Sequence, residues 1–154
     1  MFINQEEIMS KIEQIKLENL TDVFPLFQEY RKFYRKEASP TAEQFLTDRL
    51  KNNESVIYAA YVDNRCVGFV QLFTTFSSLN LGKIVILNDL YILPDFRRKK
   101  IATELINVSI EHAKSVKATG VSLSTQIANT GAQDLHKKIG FKKDNDFFYF
   151  NFLL

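Results

Sequence analysis

The stretch VILNDLYILPDFRRKKIATELI, Val85 to Ile106, constrains the fold more than any other part of this chain. It opens as an apolar run that reads as a buried strand, passes through Asn88-Asp89, and resumes as apolar through Leu93. Pro94 breaks the run. Four cations follow, Arg97 to Lys100, and a helical pattern starts at once. On that helix, expected over about 98–117, Ala102, Leu105, Ile106, Ser109, Ala113 and Val116 recur along one face. Gly120 is expected to end the unit, and VSLST after it reads as a short buried strand. Strand, helix and strand make a crossover, so one sheet must hold the whole.

The flanking sequence completes that sheet. Residues 11–17 alternate as a first strand. A helix is expected from near Thr21 through Tyr34, with Asp22 in its first turn and Pro25 tolerated near its start. Ser39-Pro40-Thr41 breaks it, and AEQFLTDRL is a second helix. SVIYAAYV and RCVGFVQLF flank Asp63-Asn64 and read as a hairpin. A turn from Phe76 to Gly82 leads into KIVILNDLYIL. After VSLST come a helix over 129–139, closed by Gly140, and a final aromatic strand, DFFYFNFLL. The expected class is α/β (α+β): a single mixed, mostly antiparallel sheet flanked by helices. Residues 1–154 are read as a single domain, with 1–10 as a leader.

Composition narrows the function. A net charge of +2 argues against a general nucleic-acid binder. No apolar run approaches a membrane span, and the polar, acidic N-terminus is unlike a secretory signal. The single Cys66 suits a reducing cytoplasm and reads as a small buried hydrophobe. Nothing has metal-site spacing; the two histidines, His112 and His136, lie far apart.

The cationic turn has two readings. A helix start offers unpartnered N–H groups and a positive dipole end, an anion site that Arg97, Arg98, Lys99 and Lys100 reinforce. Alternatively the four charges are a solvated face, although cations there oppose the dipole. The stretch LNDLYILPDFRRKKIATELI resembles the acetyl-CoA-binding motif of the GNAT superfamily of N-acetyltransferases: Arg or Gln, two free positions, Gly, one free position, Gly or Ala. Arg97 fills the first position and Ala102 the last, while Lys100 replaces the Gly. Gly there lets backbone approach a pyrophosphate; right-handed dihedrals are expected for Lys100, at the helix entry. Downstream, IANTGAQDLHKKIGFKK resembles the family's second signature. Asn129, Ala132, Leu135, Gly140 and Phe141 match, and His136 stands where Tyr is usual.

The resemblance covers about residues 11–154. It implies the acyl-CoA N-acyltransferase fold, with splayed central strands and helices on both faces, and transfer of acetyl from acetyl-CoA to an amine by direct attack on the thioester. Backbone amides from Arg98 through Lys99, Lys100, Ile101 and Ala102 to Thr103 would cradle the pyrophosphate. The strand edge at Leu90, Tyr91 and Ile92 would pair with the pantetheine arm. Asn129 would contact the cofactor, cap its helix, or both. His136, by position, would protonate the leaving thiolate.

The base is left open. Spermidine/spermine-type acetyltransferases have an acidic residue where Asn88 stands. Strand alternation puts Asn88 and Asp89 on opposite faces. Either Asp89 faces the acceptor cleft, or it is a buried hydrogen-bonder and water relays the proton. Glu37 is a third candidate, or a solvated loop acid. Tyr30, Phe33 and Tyr34 share a helical face that lines an acceptor pocket or packs in the core; Gln71 and Phe73 join the pocket. The expected acceptor is a small or amino-acid-like primary amine. By analogy the enzyme is a homodimer. Two rivals remain: a coenzyme A-binding sensor of the same fold, and an RNA-associated protein using Arg97 to Lys100.

Overall fold

The computed structural model describes residues 8–154; most of the expected leader, residues 1–7, lies outside the described residues. The chain forms two compact units, one through Ser124 and one from Thr125 to Leu154. The first begins with β1 (Lys11–Gln14), a 3-10 turn (Leu17–Asp22), α1 (Phe24–Phe33) and α2 (Thr41–Lys51). Then come β2 (Ser55–Val62), β3 (Arg65–Ser77), β4 (Gly82–Ile92), a 3-10 turn (Pro94–Phe96), α3 (Ile101–Ser115) and β5 (Gly120–Leu123).

The five strands lie in one sheet in chain order, β1 to β5. The first four pair antiparallel, and β5 joins β4 in parallel, as the α3 crossover requires. Asp63 and Asn64 join β2 to β3, both at positive φ, 48° and 60°. Two left-handed residues match the twist of a two-residue hairpin, and Asp and Asn are the side chains that tolerate them.

Alternation sorts the sheet's side chains between two helical layers. Ile57, Ala59, Phe69 and Tyr91 share a core with Val23, Leu26 and Phe27 near and on α1, and Ala42 and Leu46 on α2. The opposite face carries α3, which buries Ile101, Leu105, Ile106, Ser109 and Ala113. Close approach there needs Gly68: a Cβ on it would lie 2.5 Å from Ile92 Cδ1 and 3.5 Å from Leu105 Cδ1. Burying each large side chain contributes about 1.5–3 kcal/mol, so both layers are firmly held to the sheet.

Several boundaries differ from those the sequence suggests. Asp22 ends a 3-10 turn instead of opening α1, and its Oδ2 accepts from the Tyr61 hydroxyl at 2.8 Å. β3 continues through Ser77, into residues expected to turn. Gly120 begins β5, while α3 ends at Ser115 with Lys117 left-handed beyond it. Ile101, not Ala102, is the first fully buried residue of α3.

The second unit contains α4 (Thr130–Ile139). Gly140 follows it at φ 119°, the left-handed cap expected there. The expected terminal strand is absent: no residue from 141 to 154 is in a strand. Phe148 and Phe150 are 91% and 92% exposed. Aromatic residues favour strands by packing against neighbouring strands; without a paired neighbour the propensity forms nothing.

Candidate functional site

The geometry of β4 organises the site in the first unit. Its β5 partner covers only Ile84 to Leu87. From Asp89 to Ile92, β4 remains paired with β3, but among the described residues no strand pairs with its other edge. On that edge the main-chain groups of Leu90 and Ile92 point away from β3, as pairing with an extended ligand requires, and the Ile92 carbonyl accepts from Arg97 Nε at 3.0 Å. This is the splaying that the resemblance implied.

A bulge sits where the strands part. Gln71 pairs with Asp89 and Leu72 with Leu87, leaving Asn88 without an opposite residue. One inserted residue upsets alternation. At this slip Asn88, exposed, reaches buried Asp89: its Nδ2 donates to Asp89 Oδ1 at 2.9 Å.

Asp89 is 4% exposed. Its Oδ2 accepts from Gln71 Nε2 at 2.6 Å, and the Tyr30 hydroxyl is a third hydrogen-bond partner. Burial pushes its pKa up, because the charged form is desolvated; the hydrogen bonds from Gln71, Tyr30 and Asn88 oppose the rise. Tyr30 is shifted upward too, by burial first and then by the Asp89 charge and hydrogen bond; Tyr34 is raised by burial and the same charge. Asp89, Tyr30 and Tyr34 thus form one electrostatic cluster. A buried carboxyl that holds its proton more tightly than usual is a candidate for proton transfer. Gln71 is wholly buried, so it supports Asp89 instead of lining an open wall. Phe73 is half-buried further along β3, and Glu37 is an exposed loop residue whose carbonyl accepts from Arg31.

The cationic turn follows β4 directly. Arg98 and Lys100 both have left-handed backbones, φ 60° and 64°. This corrects the right-handed geometry expected of Lys100, which precedes α3 as its N-cap. The motif's Gly position is a left-handed position here, and Lys occupies it against its Cβ sterics. Alternating left-handed residues build backbone concavities that bind anions. The amides of Ile101, Ala102 and Thr103 come before the first intrahelical bond, made by Glu104 N to Lys100 O at 3.0 Å.

The four cations do not act alike. The Arg97 guanidinium lies 5.5 Å from the Tyr91 ring centre and 5.9 Å from that of Phe33, and its Nε donates to Ile92 O at 3.0 Å. Lys99 Nζ sits 5.4 Å from the Phe96 ring. Sequence reasoning missed these stacks; the only signal was the recurrence of aromatics beside cations on α1 and in the turn.

In the second unit, Asn129 caps α4, its Oδ1 accepting from Ala132 N at 3.1 Å. His136 is half-buried, with its ring centre 5.9 Å from Phe141. Burial lowers its pKa, and its Nδ1 is buried without a hydrogen-bond partner. Elsewhere, Cys66 is buried and its thiol is pushed up to about 11, an inert setting. Among the described residues no three His, Cys, Asp or Glu side chains gather as a metal site, and no helix is long and apolar enough to cross a membrane.

Comparison with known proteins agrees with this geometry. The profile of the Acetyltransferase (GNAT) family matches residues 21–141. An uncharacterized N-acetyltransferase of Bacillus subtilis (strain 168), YhfO, is 36% identical over 140 residues, covering 90% of this chain and 94% of that protein. The crystal structure of a probable acetyltransferase superposes with a TM-score of 0.87 at 37% identity, covering 94% of this chain and 97% of the other. The aminoglycoside acetyltransferase AAC(6')-Iy, bound to a bisubstrate analog, shares the fold at a TM-score of 0.79 and 18% identity, covering 95% and 99%. A buried carboxyl beside a half-bare strand, a backbone turn suited to anions and these matches lead to one assignment: the chain belongs to the GNAT family and is an N-acetyltransferase.

Proposed function

We propose that the enzyme transfers acetyl from acetyl-CoA to the primary amine of a small or amino-acid-like acceptor, by direct attack of the amine on the thioester. The observation that carries this reading is the placement of buried Asp89 at the bulge where β4 loses its β5 neighbour. An amide-bearing arm laid along Leu90 to Ile92 brings its reactive end to that residue. Backbone amides from Arg98 to Thr103 hold the diphosphate, with electrostatic help from the turn's cations. Asp89, once ionised, takes the proton from the acceptor ammonium, and Asn88, Gln71 and Tyr30 hold its carboxyl in place. Tyr30 and Tyr34 face the acceptor. From the family motif alone we carry over the return of a proton to the thiolate by His136, which stands where the family has Tyr, and the cofactor contact of Asn129.

Calorimetry with acetyl-CoA tests the first step, and free-thiol release across a panel of primary amines tests the second. Ala102→Glu is the informative variant. A carboxylate in the first turn of α3 favours the helix dipole, so folding should survive. The same charge repels a diphosphate, so acetyl-CoA binding should be abolished. Unchanged affinity in that variant, or the absence of any binding heat with the native protein, refutes the proposal.

A further inference from the structure

Asp89 stands at the inner end of a short stack of rings that reaches the surface. The Tyr30 hydroxyl is hydrogen-bonded to its carboxyl. The Tyr30 ring meets Tyr34 at 5.0 Å, edge to face, and Tyr34 meets Phe33 at 5.1 Å. Exposure rises along the same path, from 4% at Asp89 through half-buried Tyr30 to 37% at Tyr34 and 48% at Phe33. Arg97 already lies over Phe33 and Tyr91. Tyr30 and Tyr34 are therefore the rings left to meet an incoming molecule, and Asp89 is the carboxyl coupled to both.

The segment that carries these rings is cationic. Residues 29–37, EYRKFYRKE, hold four cations and two acids. Glu29 is paired with Lys32 at 2.7 Å. Among the described residues Arg31, Arg35 and Lys36 have no carboxylate partner. The loop after α1 folds back onto that helix: Lys36 N donates to Arg31 O at 2.9 Å, and Arg31 Nη2 to Glu37 O at 3.3 Å. Gln28 Nε2 donates to Ser39 O at 2.9 Å, and Ser39 N returns a bond to Gln28 Oε1 at 3.3 Å. These bonds hold Arg35 and Lys36 at the outer end of the ring stack. An ammonium moving inward gains from the tyrosine rings and meets Asp89. A second ammonium on the same molecule finds no acid and faces like charge, which discriminates by repulsion.

We infer that the acceptor is a monoamine with an apolar alkyl or aryl body. Tyr30 and Tyr34 cover the body, and Arg35 and Lys36 turn away amines that carry a second positive charge. This rests on the acetyltransferase reading above and specifies its acceptor.

The test is thiol release from acetyl-CoA with hexylamine, 6-amino-1-hexanol and 1,6-diaminohexane, which share one carbon chain and end in methyl, hydroxyl and ammonium. At low salt, wild type should give hexylamine a kcat/KM about tenfold or more above the diamine, with the alcohol between them. The double variant Arg35→Asn/Lys36→Glu should narrow the hexylamine-to-diamine ratio by about threefold or more. Asn tolerates the left-handed backbone of residue 35, φ 59°. Raising the salt from about 0.05 to 0.5 M should narrow the ratio too, by screening. Tyr34→Ala should raise KM for hexylamine more than for the alcohol, while the acetyl-CoA Kd stays within about twofold. A diamine turned over as well as hexylamine by wild type overturns the inference. So does a ratio that neither salt nor the double variant moves, or an equal response of hexylamine and the alcohol to Tyr34→Ala. Wild type that takes up acetyl-CoA in the calorimeter but acetylates none of the three overturns this inference alone; wild type that takes up no acetyl-CoA overturns the underlying reading.

Discussion

Gln71 donates from Nε2 to Asp89 Oδ2 at 2.6 Å, and both side chains are buried at the bulge between β3 and β4. The contact favours the ionised form of a carboxyl that burial would otherwise keep neutral. On the proposed mechanism it makes Gln71 a positioning residue for the base.

The first prediction concerns the pH–rate profile. If ionised Asp89 is the base, kcat/KM should fall as pH drops through its raised pKa. Gln71→Leu removes a donor to the carboxylate and pushes that pKa higher still, so the acid limb should move to higher pH. Asp89→Asn should erase the limb and lower kcat by roughly 10²–10⁴-fold. A Gln71→Leu profile lying on top of the wild-type one would leave Gln71 with a packing role only.

Stability should respond to the same carboxyl with a definite sign. The folded state holds the Asp89 proton more tightly than the unfolded chain, whose value is about 3.9. The contribution of this group is therefore full below that pH and is lost as pH rises toward the folded value. Asn cannot titrate. The stability of Asp89→Asn relative to wild type should thus be greater at pH 8 than at pH 4, as read from urea midpoints. A gap of the opposite slope would mean the hydrogen bonds outweigh burial.

Lys100 gives a prediction on the backbone. Its left-handed conformation costs a residue with a Cβ about 1 kcal/mol or more, while Gly at the site regains that but loses more chain entropy on folding. Lys100→Gly should come out neutral to slightly stabilising, raising Tm by about 1–3 °C. Lys100→Val, β-branched, should lower it. A drop with Gly would show that the interactions of the Lys side chain outweigh the strain.

His136 supplies the fourth. Its pKa is lowered by burial, so the protonated form needed to donate to a thiolate is depleted earlier as pH rises. An acid role predicts that kcat declines through that lowered value. His136→Phe should slow turnover, flatten the decline and leave the acetyl-CoA Kd unchanged. Turnover equal to wild type would remove His136 from the chemistry.

Much of the fold was legible because it rests on local periodicity. The branched and aromatic run SVIYAAYV before Asp63-Asn64 marked β2 over Ser55–Val62, and the α3 stripe marked a helix packed on the sheet. What escaped depends on pairing between distant residues. The slip that brings Asn88 onto Asp89 is a property of β3 and β4 together, and the alternation of a single strand does not reveal it. The handedness of Lys100 was hidden because Lys does not advertise a positive φ as Gly would. The ring contacts of Arg97 escaped for a related reason: its neighbours Tyr91 and Phe33 come from a strand and a distant helix. The terminal aromatics failed in the other direction, since composition suggested a strand that no neighbour completes.

The half-bare edge of β4 has an implication for how such an enzyme diversifies. A ligand gripped by main-chain groups is recognised by atoms that substitution cannot alter. On the proposed mechanism, donor recognition along Leu90 to Ile92 is thereby insulated from drift in the side chains there, so long as the strand persists. The wall built from α1 has no such insulation. With the acceptor placed there as proposed, replacing a single ring on that helix redraws what is accepted while the handling of the donor continues undisturbed, and a lineage can change acceptors without rebuilding its catalyst.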